Sequence, residues 1–399
     1  MNTFVRSFNF KSICFNKFEK NRIIRFQNFY TNVPSVTTTS SLAERILTEQ
    51  RENIHKCKDD YSKFRLAHNI VKKVLSDESI CIGSSIVSER NQEIIEYNVN
   101  GGRLQRMKIF LNVCENLTPK HKLTDEYILR SWILGHLTQV LLSSLLMIDD
   151  ALDKSDLRRN KVTWYRTVGS MEFCSHSLML NSGIQVILKN LFSKQSYYTQ
   201  CIEIFNEILW IAESCFALEA KTIDVLGENK KYCSWKMFDT LSVGLMATTG
   251  FQLPVIAAMC MAGVKYDHLM EDLAKIFAPL GCLTTAENDY YDVFGKSTGK
   301  VLYEDIKHGK LTWVLLTSLD NCNSDQKKIL QECYGKDNPE CIDAVVQVYR
   351  QLNLEERFLK YKTDISRHVT NLIKNIADDR LHVPLLSTLY QAENWYRDV

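Results

Sequence analysis

Two clusters of side-chain oxygens carry most of the chemistry legible in this chain. The first is Met147-Ile148-Asp149-Asp150-Ala151-Leu152-Asp153, which closes the apolar run Val140 to Ile148 and is followed by Asp156, Arg158 and Arg159. At helical spacing Asp149 and Asp153 lie one turn apart on the same face. Like charges there repel, and a helix C-terminus already carries partial negative charge, so the cluster implies a bound cation. Carboxylate oxygens suit Mg²⁺, which keeps several waters and is shared with substrate phosphates. Arginines just beyond would grip those phosphates in bidentate fashion.

The second cluster is Glu287-Asn288-Asp289-Tyr290-Tyr291-Asp292-Val293-Phe294-Gly295, about 140 residues further on. It too follows an apolar helical stretch, and Lys296, Lys300 and Lys310 come after it. Two acidic segments, each trailed by basic residues, are what a chain needs to hold several Mg²⁺ ions around one diphosphate. Asp149, Asp150, Asp153, Asn288, Asp289 and Asp292 are therefore the expected metal ligands.

Both segments resemble the aspartate-rich motifs of the trans-isoprenyl diphosphate synthases, and farnesyl diphosphate synthases in particular. The likeness runs from roughly Tyr97 to Tyr361 and includes Tyr97 to Arg106, Asp149 to Tyr165, Leu253 to Met259, and Asp289 to Lys310. It implies an all-α isoprenoid synthase bundle around a central metal-lined cavity. It also implies three Mg²⁺ ions, replaceable by Mn²⁺, a prenyl diphosphate substrate, and a homodimer. Asp149, Asp153, Asn288 and Asp292 then become catalytic, with Arg158, Arg159, Lys300 and Lys310 neutralising the leaving diphosphate. Arg103, where the family usually has lysine, and Arg106, which matches, belong to the pocket for a second diphosphate.

Departures from the family concentrate at that second pocket. Leu142 stands for a glutamine, Leu245 and Met246 for adjacent lysine and threonine, Thr249 for a tyrosine, Thr285 for a glutamine, and Asn288 for the first aspartate of the second motif. The chain ends Trp395-Tyr396-Arg397-Asp398-Val399 where the family carries a basic tail. Losing one charged contact costs on the order of 1.5–3 kcal/mol, so several losses together should weaken the homoallylic partner severely. An enzyme that ionises an allylic diphosphate but no longer receives isopentenyl diphosphate is a terpene synthase. Asn288-Asp289 with Asp292 fits the start of the (N/D)Dxx(S/T)xxxE motif of that class, with Lys296 where an acid is expected. The chain thus resembles the insect terpene synthases that look like diverged farnesyl diphosphate synthases. Two alternatives stay open: a prenyltransferase with an unusual isopentenyl site, and a silent partner of an active synthase. Lys221 replaces a glutamine, and either supplies the charge missing at 245 or is an exposed helix lysine. Ser144 and Leu145 occupy positions that carry chain-limiting aromatics in animal farnesyl-specific enzymes. Smaller residues there point to farnesyl over geranyl diphosphate. Leu245, Met246, Met147, Ile148 and Phe251 are candidate cavity linings or ordinary core.

The elements that must position these groups read as helices. Six prolines and fifteen glycines in 399 residues leave long uninterrupted segments with apolar spacing of three and four, such as Leu241 to Val264 and Ile342 to Leu354. No sustained alternation marks strands, and no linker divides residues 41–399, which read as one domain. The run Leu253 to Val264 is too short to span a bilayer. Net charge is +2, which gives no reason to expect nucleic acid. Thirteen scattered cysteines without CxxC pairs fit a reducing compartment. Residues 1–40 set Arg6, Lys11, Lys17, Lys20, Arg22 and Arg25 against the single acid Glu19. That profile is a mitochondrial transit peptide, or else an arm on a cytoplasmic protein.

Overall fold

The computed structural model describes residues 40–77, 81, 83–295 and 302–396. Helices α1 (Ser40–Arg51), α2 (Asp60–Leu75), α3 (Ser85–Asn98) and α4 (Gln105–Leu117) lead to α5 (Asp125–Leu152), the longest. Thr124 caps α5 by accepting from the Tyr127 N–H, and Asp125 and Glu126 in its first turn favour the positive helix end. The helix is apolar on nearly every face, so it can only be central. It is sheathed by α2, α4, α6 (Trp164–Val168), α7 (Ser170–Ile187) and α8 (Tyr198–Glu219).

The next long rod is composite. Helix α9 (Trp235–Leu241) passes into a π-helical segment, Ser242–Gln252, and continues as α10 (Leu253–Ala262). Helix α11 (Met270–Phe294) lies against the π-helical segment, and this is the most extensive helix pairing in the fold. The pairing is close because Gly281 has no side chain: a Cβ there would meet the Ala247 backbone nitrogen at 2.6 Å. Short helices α12 (Glu304–His308), α13 (Trp313–Asn321), α14 (Ser324–Cys333) and α15 (Pro339–Gln351) follow, then α16 (Leu354–Lys374) and α17 (His382–Glu393). Two apolar cores result. Helices α2, α4, α5, α7, α8 and α10 build the larger, whereas α13 to α16 close the smaller around Trp313, Leu330, Tyr349 and Phe358. Helix α11 spans both, giving Leu273, Ile276 and Leu280 to the first and Ala286 and Val293 to the second.

The all-α expectation holds, with one addition. Leu157–Arg158 and Lys161–Val162 pair as a two-residue antiparallel hairpin. Arg159 and Asn160 both have positive φ, 53° and 61°, as a tight two-residue hairpin turn requires. Two-residue strands are too short to show alternation. A second correction concerns length. Asp125–Leu152 and the continuous rod Trp235–Ala262 are each 28 residues, long and apolar enough to cross a bilayer, but 83% and 78% of their apolar windows are buried within the fold. They are core helices. No disulfide occurs among the described cysteines.

Outside the cavity, one charged cluster ties α2 to α3. Glu96 receives Lys72 at 2.5 Å, His68 at 3.1 Å, Arg65 at 3.3 Å and Asn100 at 2.7 Å. Burial opposes its ionisation, but Lys72 and His68 outweigh that and pull its pKa down to about 2. A depressed carboxylate stabilises the fold above its unfolded pKa, and the contribution disappears as pH falls toward the folded value. Glu96→Gln should therefore cost roughly 1 kcal/mol at pH 7, a figure discounted because the carboxylate is 39% exposed. The difference from wild type should shrink as pH falls from about 4.5 to 2, read by urea unfolding at a series of pH values. A pH-independent difference would show that packing, not charge, is what Glu96 supplies.

Candidate active site

One face of α5 defines the site. Gln139, Leu142, Leu145, Leu146, Asp149, Leu152 and Asp153, spaced by three and four, line a cavity of about 1530 Å³. The same spacing excludes two expected residues. Ser144 points away: it is fully buried, and its hydroxyl donates to the Leu141 carbonyl and the Asn181 side chain in the contact with α7. It is not part of the substrate pocket, so any control of chain length at this depth rests on Leu145 and Leu142. Asp150 likewise turns to a smaller cavity of about 240 Å³, shared with Met147, Tyr97 and Trp164. Phe251 is core, packed on Trp395 at 5.4 Å.

The hairpin after α5 delivers the arginines. Arg158 holds Asp150 through Nε at 2.5 Å and Asp149 through Nη2 at 2.6 Å. Burial raises the Asp150 pKa to about 6 despite Arg158. Arg159 lies against Gly102, where a Cβ would fall 2.8 Å from its guanidinium carbon and push that side chain aside. Gly102 itself sits at φ +85°. Both arginines line the large cavity.

Helix α11 supplies the facing wall with Thr284, Thr285, Asn288, Asp289 and Asp292. Asp289 is buried and accepts the Trp313 N–H at 2.7 Å, fixing the start of α13. Asp292 accepts the Asp305 N–H at 3.3 Å, fixing α12. Lys310 joins the two walls, 2.6 Å from Asp153 and 3.6 Å from Asp305. Burial disfavours its charge, but Asp305, Asp153, Asp149 and Glu219 prevail and raise its pKa. Lys296 and Lys300 lie outside the described residues.

Sequence reasoning missed Glu219 and Asp305. Glu219, the last residue of α8, lines the cavity, and burial followed by repulsion from Asp149 pushes its pKa up to about 8. Asp289 is raised by burial and by Asp305. Glu219 stands alone and Asp305 has only Glu304 beside it, so neither shows the four-residue spacing of the two motifs. They become neighbours of the motifs only because α8 and α12 end at this cavity.

The third wall is the π-helical segment, which presents Ser242, Leu245, Met246 and Thr249, with Leu241 at the end of α9 beside it. A π-helix widens the turn and is frequent at functional sites. Arg103 and Arg106 face it from the start of α4. Arg106 is 8% exposed and donates to the Thr249 carbonyl at 3.2 Å. Burial lowers its pKa to about 10. Lys221 is exposed and outside the cavity, so it does not replace a cation at 245.

Several carboxylates share this cavity, and burial together with mutual repulsion raises the pKa values of Glu219 and Asp289, which marks a functional site. The donor set is all oxygen and fits a hard divalent cation: Asp149 and Asp153 on one wall, Asn288 and Asp292 on the other, with Glu219 and Asp305 beside them. Among the described residues no three acidic, histidine or cysteine side chains converge tightly enough to enclose an ion by themselves. That arrangement suits a cation that retains water and takes further oxygens from a substrate phosphate.

Comparison with known proteins agrees with this geometry. Similar curated proteins include farnesyl pyrophosphate synthase of Bos taurus, 29% identical over 313 residues, covering 77% of this chain and 88% of the relative. The farnesyl pyrophosphate synthase of Murgantia histrionica is 27% identical over 77% of this chain and 76% of its own length. Farnesyl pyrophosphate synthase 1, mitochondrial, of Arabidopsis thaliana is 29% identical over 74% of this chain and 77% of its own. The polyprenyl synthetase profile matches residues 88–352, well over half of the sequence, and the chain belongs to that family.

Proposed function

We propose that this enzyme ionises one allylic diphosphate, farnesyl diphosphate in preference to geranyl, and releases a sesquiterpene and inorganic diphosphate. The observation that carries this reading is the composition of the third wall. Leu142, Leu245 and Met246 line the cavity where a condensing enzyme of this family needs glutamine, lysine and threonine, and the neighbouring Arg106 is engaged by the Thr249 carbonyl. Lys221, weighed as a replacement for the lysine, lies outside the cavity.

When bound between Asp149, Asp153, Asn288 and Asp292, Mg²⁺ supplies Lewis-acid neutralisation of the leaving diphosphate. Arg158, Arg159 and Lys310 face the same space and bind diphosphate oxygens; Lys300, outside the described residues, is given the same role on the family resemblance alone. Their charge stabilises what develops on the departing group. Leu142, Leu145, Leu245 and Met246 offer the prenyl chain an apolar surface that keeps water from the carbocation.

A second reading is condensation with isopentenyl diphosphate, and the relatives favour it, since those compared are all named farnesyl pyrophosphate synthases. The size of the cavity does not choose between the two; the apolar residues in its lining support the single-diphosphate reading. The test is incubation with Mg²⁺ and farnesyl diphosphate alone, then with dimethylallyl and isopentenyl diphosphates, reading volatiles and prenyl diphosphates by mass spectrometry. A sesquiterpene from the first incubation and no elongation in the second is the expected result. Elongated diphosphates without volatiles would establish the condensing enzyme instead.

Mitochondrial targeting is proposed for residues 1–40; residues 1–39 lie outside the described residues, and the support is their basic, acid-poor composition. A homodimer is proposed on the family resemblance, with exposed Met171 and Leu178 on α7 and Trp210 on α8 as apolar contact residues.

A further inference from the structure

After α17 the chain turns back across the mouth of the arginine pocket, and two aromatic residues settle on the two arginines. Arg103 donates to the Trp395 carbonyl, and its guanidinium lies 5.0 Å from the Tyr396 ring. The Arg106 guanidinium lies 5.5 Å from the Trp395 ring. Both rings are held from behind: Trp395 meets Phe251 at 5.4 Å, and Tyr396 meets Tyr291 at 6.1 Å. Lys362 fastens the approach, binding Glu287 at 2.9 Å and the Glu393 carbonyl, so the turn is tied to the residue beside Asn288.

An arginine facing an aromatic ring keeps its charge but loses access on that side. Here the rings and two backbone carbonyls take the place an anion would occupy.

We propose that Trp395 and Tyr396 are specificity-determining residues, which cover Arg103 and Arg106 and thereby limit the cavity to one diphosphate at a time. This rests on the single-diphosphate reading above. It adds that the restriction is imposed by a removable cover as well as by the apolar residues at 142, 245 and 246. Arginine–aromatic contacts of this kind are replaced readily by charge-assisted hydrogen bonds once the ring is gone, because the guanidinium donors are already in place.

The test is titration calorimetry of isopentenyl diphosphate with Mg²⁺ into the full-length chain, with no allylic substrate present. The proteins are wild type, Trp395→Leu/Tyr396→Leu, and the same double variant carrying Arg106→Ala. The double variant should bind about tenfold or more tighter than wild type, the scale of losing a desolvated cation–π contact. Adding Arg106→Ala should remove the gain. Trp395→Phe keeps a ring over Arg106 and should behave as wild type, which keeps the test informative if the leucine variant melts early. A folded double variant with no gain would overturn the proposal, as would weaker binding than wild type, which would make the aromatic pair part of an isopentenyl site. Failure of the single-diphosphate reading is separate: it is seen as elongation by wild type, whatever the variants do.

Discussion

Asp149→Ala lowers kcat/KM by about 10³-fold or more, the scale expected when a group stabilising transition-state charge is removed. The side chain faces the cavity from the last turn of α5, 2.6 Å from Arg158, and its charge is one cause of the raised Glu219 pKa. Its removal relieves repulsion with Glu219 but also breaks the contact with Arg158, so the melting temperature is read beside the activity. What it loses is the response to ligand: wild type gains thermal stability with Mg²⁺ plus inorganic pyrophosphate by mass action, and the variant should gain little. A steady-state assay beside a thermal-shift titration separates the two effects. Near-normal turnover in a folded variant would sink the assignment of this cavity as the active site. An active chain would also dispose of the silent-partner reading, which the retention of mutually repelling carboxylates at Asp149, Glu219 and Asp289 already disfavours.

The second large effect lies at a glycine with no chemistry of its own. Gly281→Ala places a methyl 2.6 Å from both the nitrogen and the Cβ of Ala247. Those atoms belong to the π-helical backbone and its shortest side chain, so nothing can swing aside. Overpacking of this kind costs about 3 kcal/mol and moves the segment carrying Leu245, Met246 and Thr249. The control is Gly183→Ala, where the nearest atom is the flexible end of Leu75 at 3.1 Å. There the helix propensity gained offsets most of the strain, and the change should stay within about 1 kcal/mol. Denaturant unfolding of the pair checks the difference. If both variants lose the same stability, the close approach of α11 to the π-helical segment is not rigid.

Much of the site was legible because its ligands sit in local runs. Asp149, Asp153, Asn288 and Asp292 are spaced by four within single helices, and periodicity alone puts each pair on one face. That the faces meet across one cavity followed from the family likeness and is what α5 and α11 do. The misassigned residues share a cause. Ser144 and Asp150 lie one position from true cavity residues, and one position on a helix is a rotation of about 100°, enough to turn a side chain from the cavity into the packing with α7 or onto the hairpin. Proximity in sequence to a motif is no guide to direction.

What the sequence determined by itself was the class of chemistry and the all-helical fold: oxygen ligands in pairs, cations behind them, apolar spacing of three and four, and few breakers. The tertiary structure decided which carboxylates join the pairs, which cation bridges them, and what covers the arginines. Glu219, Asp305, Lys310, Trp395 and Tyr396 come from the ends of separate elements, and their roles arise from a shared cavity in which buried charges far apart in the chain interact strongly. Periodicity records the local face a residue occupies. Burial, which sets the strength of those interactions, is a property only of the assembled helices.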